Sequence, residues 1–260
     1  MSTLTAALWA EWMKVRRSRV AWLTFVGFSI LPFIGGFFMI LLKNPEAASN
    51  VELLNQKAKL LSGEADWPSY FSLISQGVAL GGLIIFGFLT SWIFGREYAD
   101  RTLKDLLALP TPRSSLVLGK YLILFLACLT LATGIFLEAL LVGYAVSLPG
   151  WTNAWFINAT QVYFSTALLT ILMCFPVAFF AHWGKGYLAA LGFVIFSMIM
   201  AQVVAAAGLG MWFPWSIPAL YSGMAGVEYQ VLNFWNISIV ALTSLAGVLA
   251  TLGRWKWAEP

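Results

Sequence analysis

The chain has 260 residues, of which 60% are hydrophobic and only 10% are charged, and its net charge is +4. A water-soluble domain carries about 25% charged residues, so this composition excludes a soluble globular fold. The basic surplus does not indicate nucleic-acid binding, because basic residues are common in loops beside membrane spans.

Residues 2–19 are predicted to form an interfacial helix that lies on the membrane. Apolar residues recur at helical spacing on one face, Glu11 is the one ionised member of that face, and a basic flank follows. The residues that define this helix are Leu4, Leu8, Glu11, Trp12, Lys14 and Arg17. The alternative is an extension of the first span, but the basic group before Val20 favours a separate helix.

Six long apolar runs predict six membrane-spanning helices. They cover residues 20–42, 69–95, 114–147, 156–181, 187–209 and 231–253. Residues 210–230 are apolar but contain Pro214 and Pro218, so we expect a broken outer element, re-entrant or packed on the bundle. The predicted fold is an all-α polytopic membrane protein, with residues 1–260 forming a single transmembrane domain.

Lys and Arg residues concentrate on one side of these spans. The N-terminal segment, the loop after the second span and the C-terminal tail are all basic, whereas the opposite side carries Lys43, Lys57 and Lys59. By the positive-inside rule, both termini are expected in the cytoplasm of a prokaryotic cell, with the chain crossing the plasma membrane several times.

Residues 97–109, on the predicted cytoplasmic side, form the most informative segment. Glu97 and Arg101 lie four residues apart with the acid first, which favours an amphipathic helix. Leucines collect on its other face, and Pro110 ends the pattern. From the residues alone, this helix either lies solvated on the membrane surface or docks a cytoplasmic partner.

The segment from Arg96 to Lys120 resembles the signature of the type-2 export family of ABC transporter permeases. The matching residues are Arg96, Glu97, Thr102, Leu103, Leu106, Leu107, Leu109, Pro110, Arg113, Gly119 and Lys120. Arg101 departs from the pattern, since glycine is common there. The layout is similar to that of bacterial bacitracin-resistance and lantibiotic-immunity permeases.

This resemblance implies a permease that works as a dimer, of identical or related chains, above cytoplasmic ABC ATPase subunits. ATP and Mg²⁺ would be bound by those subunits and no cofactor by this chain, since neither Gly119-Lys120 nor Gly184-Lys185 completes a phosphate loop. The implied coupling residues are Arg96, Glu97, Asp100, Arg101, Thr102, Leu103, Lys104, Leu106, Leu107, Leu109, Pro110 and Arg113. Membrane lipids are the other expected partners.

Three polar residues inside spans are candidates for a substrate path: Gln76, Glu138 and Gln202. A carboxylate within a span is a functional hypothesis by default, although its distance along the helix places Glu138 near the outer interface. The alternative is that these side chains only hold helices together by hydrogen bonds. With His182 as the single histidine, no metal site is expected.

Other functions remain open from the sequence. A membrane enzyme needs paired carboxylates or a nucleophile with its base, and Glu138 and His182 stand alone, so no catalytic residue is expected. A secondary transporter would need charged midplane groups. A sensor or immunity protein without ATP-driven transport would share this architecture.

Overall fold

The computed structural model describes residues 3–43, 64–108 and 111–257, without the side chains of Leu107 and Val227. Within these ranges every regular element is helical. The α-helices are α1 (Thr3–Arg17), α2 (Arg19–Lys43), α3 (Trp67–Ala99), α4 (Leu103–Leu107), α5 (Arg113–Ala145), α6 (Asn153–Cys174), α7 (Val177–Trp183), α8 (Tyr187–Ala206), α9 (Ile217–Tyr221) and α10 (Phe234–Lys256).

Six helices of the described chain are long and apolar enough to cross a membrane, which confirms the predicted all-α polytopic fold. Five of them are α2, α3, α5, α8 and α10, and α6 with α7 forms the fourth crossing, Asn153–Trp183. Their bounds differ from the predicted ones by a few residues at most ends, because polar residues continue several helices beyond the apolar runs.

Helix α3 lies at the centre of the bundle. It packs against α2, α5, α6 and α8, and its side chains Tyr70, Ile74 and Phe86 are fully buried. Helices α2, α8 and α10 are much less buried than α3, so they present apolar faces to whatever surrounds the bundle.

The fourth crossing breaks between α6 and α7 at Pro176, because proline lacks the N–H group that would continue the helical hydrogen bonds. Neighbouring parts of the chain supply donors to the carbonyl groups near the break. Tyr121 Oη donates to the carbonyl oxygen of Phe175 at 3.2 Å, and Trp215 Nε1 donates to that of Met173 at 3.1 Å. The carbonyl groups at the break therefore find hydrogen-bond donors within the protein, as irregular backbone at membrane depth requires.

Residues 210–230 fold into a 3₁₀ turn at Gly210–Trp212, the short helix α9 and a second 3₁₀ turn at Val227–Tyr229. The segment packs against α6, α8 and α3. It is a broken apolar element before the last span, in agreement with the predicted fold.

The predicted helix over residues 97–109 is wrong as a continuous element. Helix α3 runs on to Ala99 and so includes Glu97, Arg101 adopts a left-handed φ of 58°, and α4 covers only five residues. The left-handed residue interrupts the right-handed helical path. Leu109 and Pro110 lie outside the described residues.

Candidate functional site

Four charged side chains meet where the end of α3 lies beside α1 and α5. Lys120 Nζ lies 2.5 Å from Glu97 Oε1 and 3.3 Å from Glu11 Oε1. Lys14 Nζ lies 2.7 Å from Glu11 Oε1 and 3.1 Å from Glu97 Oε1. The ion cluster of Glu11, Lys14, Glu97 and Lys120 therefore joins three helices, with two carboxylates balancing two ammonium groups.

The ion cluster is largely withdrawn from water. Lys120 is 0% exposed, and Glu97 and Glu11 are buried at 3% and 4%. Lys120 Nζ also donates to the carbonyl oxygen of Ile93 at 3.1 Å. A buried charge is tolerated when it is paired and hydrogen-bonded, so each member depends on the others.

Lys14 is the member of the ion cluster nearest to solvent, on a helix outside the spans. Burial alone would lower the pKa of Lys14, but attraction and hydrogen bonds from Glu11 and Glu97 outweigh it and hold that pKa above its ordinary 10.5. Lys14 is therefore charged throughout the physiological pH range.

Close backbone packing brings α1 to α5. A Cβ at Gly119 would lie only 3.5 Å from the Cβ of Ala7, and Ala7 and Val15 are buried with Glu11. On the same helix Leu4 is 38% exposed and Trp12 is 42% exposed, so these two residues of the predicted apolar face can contact the membrane, and the interfacial position of the helix stays a prediction. The ion pairs of Glu11 set which face turns inward.

A second set of polar contacts connects the same end of the bundle to the last helix. Tyr98 is hydrogen-bonded to His182, and the His182 ring stacks on Trp255 at 5.5 Å between centroids. Arg113 Nη1 donates to the carbonyl oxygens of Trp255 and Lys256 at 3.3 and 3.1 Å. His182 is buried and connects α3 and α10 through α7.

The coupling segment predicted from the sequence is divided by the turn at Arg101. Arg96 pairs with Asp100 at 3.0 Å rather than Glu97 with Arg101, because Glu97 points into the ion cluster. The left-handed φ of Arg101 explains why glycine suits this position.

Two leucines of helix α4 have described side chains, and both turn towards the bundle. Leu103 and Leu106 are half-buried and pack against the protein core, whereas Arg101, Thr102, Lys104 and Asp105 are exposed. The described exposed surface of α4 is therefore polar and charged, and Leu103 and Leu106 do not form an exposed leucine face.

The three candidate residues for a substrate path do not line a common cavity among those that the described residues form. Gln76 lines a cavity of about 540 Å³ with Asn158 and Gln230, and Gln202 lines another of about 290 Å³ beside Trp215. Glu138 belongs to neither of these two cavities.

Glu138 instead lies between α5 and α2. Glu138 Oε1 accepts a hydrogen bond from Ser29 Oγ at 3.0 Å. Ser29 lies in the middle part of the 25-residue helix α2, and Glu138 lies seven residues before the end of the 33-residue helix α5 at Ala145. The contact agrees with the alternative role, in which this side chain joins two helices by a hydrogen bond, and the depth of Glu138 near the outer interface stays a prediction.

Sequence reasoning did not identify the ion cluster, although signals for it were present. Glu11 was the one ionised residue on an apolar helical face, and Lys120 preceded a long uncharged run. Each charge indicated a buried partner, but which partner each would find is a question of tertiary packing.

Comparison with known proteins agrees with this architecture. The family model described as ABC-2 family transporter protein matches residues 7–202. The chain is 30% identical over 181 residues to the bacitracin transport permease protein BCRB of Bacillus licheniformis, covering 69% of this chain and 86% of that protein. No solved structure gives a significant match. The chain therefore belongs to the ABC-2 transporter family, as a membrane permease of an ABC transporter.

Proposed function

We propose that two copies of this chain, or this chain and a related one, form the export pathway of an ATP-driven transporter in a prokaryotic plasma membrane. ATP and Mg²⁺ bind to separate cytoplasmic ATPase subunits, and this chain hydrolyses nothing. Both termini and α4 lie on the cytoplasmic side, in keeping with the basic residues there.

The observation that carries the proposal is the ion cluster behind α4. Helix α4 follows directly on the last turn of α3, and Glu97 in that turn is bound to Lys14 of α1 and Lys120 of α5. A displacement of α4 by an ATPase would therefore move three helices together. Coupling between distant sites needs a contiguous element of this kind, which both sites can bias.

The exposed charges of α4 are the proposed docking surface for the ATPase. Lys104 and Asp105 are exposed, and oppositely charged groups across an interface supply specificity and orientation. Arg101 and Thr102 flank them on the same turn.

The test is purification of the tagged chain from its native cells in mild detergent, with mass spectrometry of the proteins that co-purify. We expect a stoichiometric protein with a phosphate loop. Lys104→Glu should reduce its recovery at least tenfold, while Lys256→Glu, at another exposed position on the same side, should not. Recovery of no such protein, in several detergents, would contradict the proposal.

For the cargo, we propose an amphipathic peptide antibiotic. This rests on the name of the Bacillus licheniformis relative, which is a bacitracin transport permease, and on the cavities beside Gln76 and Gln202, which combine amide, hydroxyl and aromatic side chains. Expression of the chain with its ATPase should raise the inhibitory concentration of bacitracin. An unchanged concentration, with both proteins present in the membrane, would exclude this cargo.

A further inference from the structure

A groove opens beside the ion cluster, between the end of α1, the last two turns of α3 and the start of α8. Its volume is about 510 Å³, and its lining includes Lys14, Arg17, Trp92, Arg96, Asp100 and Tyr187. The proposed docking surface on α4 and the cavities beside Gln76 and Gln202 do not include this groove.

The charge of the groove favours an anion. Arg96 is paired with Asp100, and Lys14 is balanced within the ion cluster. Arg17 is an exposed cation on the groove wall. When the groove and the whole ion cluster are counted together, four cations face three carboxylates, which leaves one positive charge. A phosphodiester carries one negative charge, and guanidinium groups bind phosphate oxygens in a bidentate manner.

The depth of the groove favours a lipid over a soluble anion or an acidic peptide. Trp92 lies seven residues before the end of α3 at Ala99, or about 10 Å along the helix axis. The Arg96 guanidinium carbon lies 5.3 Å from the centre of the Trp92 ring, and Tyr187 opens α8. Aromatic side chains at this level mark the boundary between headgroups and hydrocarbon, so the groove runs from a basic rim towards acyl-chain depth.

We propose that this groove binds the headgroup of an anionic phospholipid with a single net negative charge, drawn from the adjacent leaflet. Arg17 and Arg96 hold the phosphodiester, and Trp92 and Tyr187 contact the glycerol region. Basic pockets between spanning helices on the cytoplasmic side are of the type that recognises such headgroups. The inference rests on the proposed function only in naming this leaflet cytoplasmic.

The site also has a structural consequence. Lys14 is shared by the groove wall and the ion cluster, so a lipid held there contacts the junction of α1 and α3. Lipid occupancy should therefore stabilise the position of α1.

The experiment is native mass spectrometry of the purified chain, without ATPase or ATP, titrated with phosphatidylglycerol or with phosphatidylcholine of the same acyl chains. We expect selective retention of phosphatidylglycerol. Each surface cation contributes about a fivefold factor in affinity, so Arg17→Gln/Arg96→Gln should weaken binding by roughly 25-fold. Lys256→Gln, which removes an exposed cation outside the groove, should bind as the unmodified chain does.

The single variant Arg17→Gln, at an exposed position, should lose about fivefold in affinity for phosphatidylglycerol. It serves as a control in case the double variant misfolds. Equal affinity of the double variant and the unmodified chain would overturn the proposal. Displacement of phosphatidylglycerol by millimolar inorganic phosphate would assign the groove to a free anion instead. Unchanged lipid binding by the double variant, together with weaker recovery of the ATPase in the separate co-purification described above, would assign the groove to protein docking. Because the chain is tested alone, failure of ATP-driven export would leave this result unaffected.

Discussion

Lys120 is a fully buried cation whose partners are contributed by two other helices. The net contribution of such an ion pair to folding stability is small, because the free-energy cost of removing two ions from water offsets their attraction. The cost of removing one partner is large, because the remaining charge is then buried without compensation. The stability of the ion cluster therefore depends on equal numbers of positive and negative charges more than on the sum of their attractions.

We therefore expect Lys120→Met to destabilise the protein by about 3–5 kcal/mol. Glu97→Gln in the same chain should recover much of the loss, because the remaining Glu11 and Lys14 are again balanced. Thermal unfolding of the detergent-solubilised protein measures both, with Lys256→Met as the exposed control. If Lys120→Met alone is as stable as the unmodified protein, the ion cluster is not buried as described.

The pH dependence of stability follows from Lys14. Since its pKa in the folded protein is raised above 10.5, the stabilisation from Lys14 is complete below that pH and is lost as the pH rises through the folded value. Arginine stays charged in this range, so Lys14→Arg should lose less stability than the unmodified protein between about pH 10 and 12. If the free energies of unfolding of Lys14→Arg and the unmodified protein change in parallel across that pH range, Lys14 does not contribute to the pH dependence.

At the scale of elements, the break in the fourth crossing determines how the last helix packs. A Cβ at Gly247 of α10 would lie 2.6 Å from Pro176 Cα and 2.8 Å from Pro176 N. These are backbone atoms, which cannot rotate away as a side chain can. The absence of a side chain at Gly247 therefore lets α10 approach the point where α6 becomes α7.

Gly247→Ala should destabilise the protein by about 1–3 kcal/mol through overpacking. Gly253→Ala in the same helix is the matched control, because nothing lies within 4 Å of its added Cβ. It should be neutral or stabilising by up to about 1 kcal/mol, since alanine favours helix over glycine. Similar melting temperatures for the two variants would refute close contact between α10 and Pro176.

At the scale of the whole molecule, six crossings return the chain to the side from which it started. Asn153 begins the fourth crossing and Lys256 ends the sixth, so the two residues lie on opposite sides of the membrane. Both native cysteines, Cys128 and Cys174, are buried, which leaves a low background for labelling an introduced thiol.

In intact cells, a membrane-impermeant maleimide should label Asn153→Cys and should label Lys256→Cys only after permeabilisation. The physical reason is the bias of Lys and Arg towards the cytoplasmic side of spans. The reverse pattern would invert the proposed orientation and would place α4 out of reach of any ATPase.

The sequence by itself determined the all-α fold, the six spans and the separate N-terminal helix. These features depend on hydropathy over about 20 consecutive residues and on local basic flanks, both of which are readable without knowing what packs against what. The broken segment before the last span was predictable for the same reason, since Pro214 and Pro218 act on their own backbone.

Only the tertiary structure decided where Glu97 points, which face of α1 is buried and that Glu138 pairs with Ser29 of α2. Lys14 and Glu97 are separated by 83 residues, and no local pattern identifies a partner so far along the chain. The sequence predicted Glu97 on a surface helix, because charged side chains are normally exposed to water. In the structure, the ion pairs with Lys120 and Lys14 hold the Glu97 carboxylate in the protein interior. Partner choice among buried charges depends on the packing of α1, α3 and α5, and that packing is a property of the whole bundle.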